Sequence, residues 1–248
     1  RLPPMLNGDR AHIEMVYSLL FSLPGVPVLR YGEEIGMGDD ASVPGRMSVR
    51  TPMQWSSDPN AGFSSAPTEH LVRPVITGGQ FGYEAVNVDV QRSDPDSLLN
   101  FTARLIRTRK ECPEVAFGAT TILDTGDPAV FAQRSEWEGG VVVTVHNLSA
   151  EARTVSLPLD GDAWGSAVEL FGSEPYAVLE PGRPELRLSP YGYRWLRLRP
   201  RVGAPDESSP EAGQSEAGAS EVGAPDEGAP DGDPPDGGAP VAGRAAAP

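Results

Sequence analysis

Adjacent carboxylates are the first residues in this sequence whose type invites chemistry: Glu33 and Glu34 follow a short apolar run and would suit general acid–base work if both faced one bond. As strand-end residues they point to opposite faces and cannot converge, so one of them is expected to accept hydrogen bonds from loop backbone instead. Asp39 and Asp40 follow Gly36-Met37-Gly38 and have the residue type for a polar pocket or a cation, but neighbouring acids in a glycine-rich loop are ordinarily solvated. His12, His70 and His146 have no metal-ligand spacing and no Ser or Cys motif near them, and are expected to be structural or exposed. Cys112 is the single cysteine, which excludes an intramolecular disulfide and a cysteine metal cluster and suits a reducing cytoplasm. Asn100-Phe101-Thr102 and Asn147-Leu148-Ser149 match the glycosylation triplet, yet the first falls on a helix and no signal peptide precedes them, so the match is accidental.

The elements that position these residues can be read from periodicity. Ile13, Val16, Leu19, Leu20 and Leu23 recur at three- and four-residue spacing between Asn7-Gly8-Asp9 and Pro24-Gly25, which predicts a helix from Asp9 to Leu23. Val26 to Tyr31 is a short apolar run that predicts a buried strand, so helix, turn and strand form an αβ step. Residues 36 to 94 lack sustained periodicity, but Trp55, Phe63, Phe81 and Tyr83 argue for an ordered loop. Asp94-Pro95-Asp96 opens a second helix with Leu98, Phe101, Leu105 and Ile106 on one face and cations towards its end, stopping at Cys112-Pro113.

Beyond Pro113 seven β-type runs follow: Thr120 to Leu123, Ala129 to Gln133, Val141 to His146, Thr154 to Leu157, Val168 to Phe171, Glu185 to Leu188 and Tyr193 to Leu198. Broken by Gly, Pro, Asp and Asn, they read as an antiparallel sandwich. The division is thus 1–112 for an α/β part, 113–200 for an all-β domain, and 201–248 for a tail without Leu, Ile, Phe, Tyr or Trp that is expected to be disordered. That tail holds two arginines against ten carboxylates, a net −8 of the chain's −15, and serves as a solubilising extension or a tether to another domain. The remaining body is close to charge balance with no Lys/Arg run, so no nucleic acid and no membrane is expected as a partner. One helix, one strand and one helix cannot cover both faces of a parallel sheet. The sequence opens Arg1-Leu2-Pro3-Pro4 without a leader, and the native polypeptide is expected to extend upstream of Arg1.

Leu23-Pro24-Gly25-Val26-Pro27-Val28-Leu29-Arg30-Tyr31-Gly32-Glu33-Glu34-Ile35-Gly36-Met37, then Val49-Arg50-Thr51-Pro52-Met53-Gln54-Trp55 and Asn60-Ala61-Gly62-Phe63-Ser64, resemble the α-amylase family of glycoside hydrolases. Tyr83 to Gln91, Ser97 to Asn100 and Pro190 to Trp195 look most like its branch of trehalose synthases and α-glucosidases. The resemblance covers about residues 1 to 200 and implies the end of a (β/α)8 barrel followed by a C-terminal antiparallel β-sandwich. In that frame Val26 to Tyr31 is the last barrel strand, and the 36–94 loop lies at the face where barrel enzymes keep their active sites. The family's retaining chemistry uses a nucleophile and an acid about 5 Å apart. In the family both come from earlier strands, as does a third carboxylate after an Asn-His pair, and no Asn-His-Asp occurs here. No catalytic residue is therefore assigned, the polypeptide alone is expected to be inactive, and no cofactor is expected in it, the family's calcium site lying upstream where present.

By the same resemblance Arg50 matches an arginine that faces sugar on the leaving-group side, where its five-donor fork can hold hydroxyls; otherwise it is a surface or ion-paired arginine. Trp55 and Phe63 could offer apolar faces to a glucose ring, though a long loop also needs aromatics to pack itself down. The implied activity is interconversion of maltose and trehalose in a closed site by double displacement, with maltose, trehalose or malto-oligosaccharide bound and a maltose kinase as partner in similar systems. The alternatives are a hydrolytic α-glucosidase or α-amylase-type enzyme and, from another class, a non-catalytic carbohydrate-binding or packing domain.

Overall fold

The computed structural model describes residues 1–159, 164–175, 179 and 184–200. The tail expected over 201–248 lies outside the described residues. After a single turn, α1 (Leu2–Met5), comes α2 (Arg10–Ser22), capped by Asp9, whose carboxylate accepts the His12 amide at 3.0 Å. Besides α1, two more helices were not visible in the pattern: α3 (Val88–Ser93), capped by the Asn87 side chain on Val90 N at 2.9 Å, and α5 (Pro113–Phe117), which starts on the proline read as a stop. Between them α4 (Leu98–Lys110) begins later than expected. The Asp94 carboxylate takes the Asp96 amide at 2.9 Å in a local turn, which leaves Ser97 to cap the helix on Asn100 N at 3.2 Å.

The strand expected to be buried over 26–31 is present here as unpaired extended backbone. The segment is extended, but among the described residues no strand pairs with it, and Val26 and Val28 are 88% and 77% exposed. An apolar β-branched run fixes the backbone region only; a ladder also needs a neighbour's N–H and C=O groups. What holds the segment's start is Arg109 of α4, which donates to the carbonyls of Phe21, Leu23 and Gly25 and so satisfies the open end of α2. Arg109 is therefore a buried structural clamp, more than a cation placed for the helix dipole.

All seven β-type runs are strands: β1 (Ala119–Leu123), β2 (Val130–Trp137), β3 (Gly140–Asn147), β4 (Arg153–Ser156), β5 (Trp164–Gly172), β6 (Glu185–Leu188) and β7 (Tyr193–Pro200). They form a five-stranded sheet in the order β1-β2-β3-β7-β5 and a two-stranded sheet, β4-β6, with every pairing antiparallel. Period-two alternation sorts the larger sheet's residues. Val143, Val145 and Leu196 join Val155, Leu157, Leu186 and Leu188 in the sandwich core. Val142, Tyr193 and Trp195 point the other way, into a second core with Ile13, Tyr17 and Phe21 of α2 and Phe101 and Leu105 of α4. Covered on both faces, β3 is buried almost end to end.

The two faces differ in chemistry. On the helix side Trp195 Nε1 donates to Ser18 Oγ at 2.9 Å, and that hydroxyl meets His146 Nε2 at 2.9 Å. Ser18 Oγ thus joins the indole and the imidazole in one buried chain of hydrogen bonds, and burial pushes the imidazole down to about 3, so it stays neutral. Gln133 of β2 likewise donates to the Ser22 carbonyl at the end of α2. On the β5–β7 side Arg194 and Glu169 form a two-pronged buried ion pair at 2.9 and 2.6 Å.

Candidate functional site

The site is built around the turn that follows the extended segment. Gly32 (φ 86°) and Gly36 (φ 79°) bracket a short 3₁₀ turn over Glu33–Ile35. A Cβ on Gly32 would stand 2.4 Å from the Met37 sulfur, so the chain can fold back on itself only with glycine there. Glu33 is held in the turn by accepting Leu2 N at 3.1 Å and Arg30 N at 3.2 Å, the loop-backbone role expected for one of the two acids. The two glutamates diverge because they sit on a 3₁₀ turn, where the sequence suggested a strand end. Tyr17 of α2 donates to the Glu33 carbonyl at 2.8 Å; burial first, then the Glu33 and Glu34 carboxylates, push its phenol above the usual range, so it remains a donor.

The loop from Arg50 to His70 is fastened by its own polar groups. Trp55 N and Ser56 N both donate to the Ala61 carbonyl, at 2.9 and 3.1 Å, while Val88 N and Asp89 N donate to the carbonyls of Gln54 and Trp55, each at 3.0 Å. Asn60 and Ala61 both adopt left-handed backbone. Asn60 secures that strained pair by donating to the carbonyls of Ser64 and Ala66 at 3.0 and 2.7 Å and accepting from the Thr68 hydroxyl at 2.8 Å. Burial along this stretch is inverted: Gln54 is 0% exposed and donates to the Phe81 and Val86 carbonyls, whereas Trp55 is 47% and Phe63 52% exposed. A buried amide beside outward aromatics is the informative departure from ordinary packing.

These outward residues converge. Tyr31, Glu34, Arg50, Trp55, Phe63, His70 and Arg73 line one cleft of about 680 Å³, so the three residues singled out in the sequence, Arg50, Trp55 and Phe63, meet in one place. Trp55 and Phe63 line its wall and leave the packing of the loop to Met53, Gln54, Asn60 and Ala61. Arg50 is exposed, and its guanidinium makes no ion pair among the described residues. Tyr31 is locked as a wall by its hydroxyl, which donates to the Thr51 carbonyl at 2.7 Å, and the Arg1 guanidinium lies 5.5 Å from the centre of its ring. Tyr31 and Glu34 stood in the first stretch that resembles the family but were given no part in a cleft, whereas His70, among histidines lacking any motif, and Arg73 joined it without a local signal.

Glu34 is the one carboxylate on this lining, so among the described residues the cleft holds no pair of acids for displacement chemistry. No group of three or more His, Cys, Asp or Glu among the described residues is arranged to hold a metal ion. Asp40 accepts from the amide and hydroxyl of Ser42 at 3.0 and 2.6 Å, a local turn. His12 stacks on Tyr191 at 4.0 Å, and Cys112 is buried, with desolvation raising its thiol to about 11. Asn100 and Asn147 spend their amides on neighbouring carbonyls, Asp94 O at 2.7 Å and Glu151 O at 2.7 Å among them. No helix among the described residues is long and apolar enough to cross a membrane.

Comparison with known proteins gives this arrangement relatives. Residues 1–118 match the α-amylase catalytic-domain model, and residues 139–197 match the sucrose hydrolase-like C-terminal domain. The chain is 40% identical over 201 residues to a trehalose synthase of Thermus thermophilus, covering 81% of this chain and 21% of that protein. It is 41% identical over 209 residues to a trehalose synthase/amylase of Mycobacterium tuberculosis, covering 83% of this chain and 35% of that protein. It thus spans between a fifth and about a third of the length of these relatives. Among solved structures, the trehalose-6-phosphate hydrolase of Bacillus licheniformis superimposes with a TM-score of 0.62 at 22% identity, over 77% of this chain and 40% of that one, which establishes the shared fold.

Proposed function

Since residues 1–118 are an α-amylase-family domain related to the trehalose synthases, we propose that this chain is the closing part of an α-glucan-active barrel and its C-terminal sheet domain, divided at residue 112. The cleft of Arg50, Trp55 and Phe63 is the wall that receives a glucose unit of maltose or trehalose. One observation carries the reading: side chains from Tyr31 to Arg73 converge on a single cleft whose aromatic faces are turned outward while a glutamine takes their place inside. A glucose ring has apolar C–H faces for Trp55 and Phe63 and hydroxyls for the Arg50 fork and the Glu34 carboxylate. The carboxylates that form and break the glycosyl bond belong to strands outside this chain, so the chain alone binds sugar without turning it over.

The alternative reading is hydrolytic: isomerisation needs water kept from the glycosyl intermediate, whereas a hydrolase admits it. Incubating the native full-length polypeptide with maltose separates the two: trehalose as the dominant product supports the synthase, and glucose as the dominant product removes it in favour of an α-glucosidase.

A further inference from the structure

A second cavity lies at the seam where α2 and α4 meet β5 and β7, sharing no lining residue with the cleft. It measures about 470 Å³, within the roughly 300 to 1,000 Å³ of small-molecule sites, and is lined by Glu14, Asp96, Arg104, Phe171, Ser173 and Tyr193, with Phe101 behind them.

Its lining has two kinds of surface. The half-buried Phe171 ring is the open edge of an aromatic stack, 5.5 Å from Phe101 and 5.8 Å from Tyr193, centre to centre. The remaining wall is polar and fixed from behind. Glu14 accepts from Arg10 Nε at 2.6 Å and from the Tyr193 hydroxyl at 3.3 Å, and the Ser173 hydroxyl oxygen is set by the Tyr193 amide at 2.9 Å. Arg104 uses Nη1 on the Pro95 carbonyl at 2.7 Å and keeps its other N–H groups without partners among the described residues. The Asp96 side chain is exposed. Two carboxylates are balanced by Arg104 and the adjoining Arg10, so the cavity selects neither an anion nor a cation. It offers acceptors, donors and an aromatic face at once, the set that suits a ring carrying hydroxyls around its edge and C–H groups on its faces.

We propose that this seam cavity is a second binding site, separate from the cleft, for a neutral sugar ring, with Phe171 as the stacking face and Asp96, Arg104 and Ser173 as hydroxyl partners. Maltose serves as the probe, titrated into the ¹⁵N-labelled 248-residue chain while backbone amide shifts are followed. The expected result is saturable movement at Gly172, Ser173 and Arg104. That movement is weakened at least fivefold in apparent affinity by Asp96→Asn and by Arg104→Gln, and left unchanged by Trp55→Ala. Both seam residues are exposed, and an unaltered spectrum of each variant without sugar confirms its fold. Shifts confined to Arg50, Trp55 and Phe63 overturn the seam site and leave the cleft standing. Seam shifts indifferent to both variants also overturn it, and no shifts anywhere overturn both.

Discussion

In the sheet domain the buried side chains include Val143, Val145, Leu186, Leu188 and Leu196, while the loop from Arg50 to Phe63 buries the polar Thr51, Gln54, Ser56 and Asn60 beside Pro52, Met53 and Ala61, and its tryptophan and phenylalanine face outward. The first region is held by apolar area removed from water, at about 1.5 to 3 kcal/mol for each large side chain. The second adds to the apolar contact of Met53 with Ile35, Met37 and Val88 a set of amide-to-carbonyl hydrogen bonds, each contributing about 1 kcal/mol net but costly to leave unmade. The difference teaches where to look for function: polar fastening lets a loop be rigid without spending its aromatics on packing, so they stay available to a ligand.

Substitutions on each side sharpen that contrast. Leu196→Ala, in the sandwich core, is expected to lower stability by about 3 kcal/mol in urea unfolding and leave maltose affinity unchanged; a loss of affinity at intact fold would blur the two regions. Gln54→Leu keeps the volume but removes the donor to the Phe81 and Val86 carbonyls. It should cost about 2 kcal/mol and weaken maltose binding as well, since Trp55 loses its anchor; a neutral outcome would mean that the loop does not depend on polar fastening.

The helix-facing side of the sheet adds a pH test. Unfolded, His146 takes its proton near the ordinary 6.5; folded, burial lowers it to about 3. Between those values the unfolded chain holds the extra proton, so stability falls as pH drops from 6.5 towards 3, by up to about 1.4 kcal/mol per unit. His146→Gln should flatten that part of the stability–pH curve, and an unchanged slope would assign it to other groups. Smallest in stability is Trp55→Ala, expected within about 0.5 kcal/mol of the parent because the ring is half exposed, yet with maltose affinity reduced at least about tenfold.

The sheet domain was legible because short β-type runs broken by Gly, Pro, Asp and Asn are a local signal: each of the seven runs became a strand, and Val141, Val142 and Val143 are consecutive apolar residues because helices cover the face that a free sandwich would leave to water. The helix at Asp9 was legible through its cap. Pro113 was ambiguous, since proline both ends a helix and suits the first position of the next, and here it does the second. The run from Val26 to Tyr31 gave its extended backbone, while its pairing and burial depend on neighbouring strands that the described residues do not include. In the cleft, Tyr31, Arg50, Trp55 and Phe63 stood in recognisable motifs, whereas His70 and Arg73 reach it through the folding of the loop, which no spacing encodes.

The most direct test of the cleft is a crystal of the 248-residue chain grown with saturating maltose. A glucose ring against Trp55 and Phe63 with its hydroxyls on Arg50 is the expected result, and a fully ordered loop with an empty cleft at that concentration would contradict it.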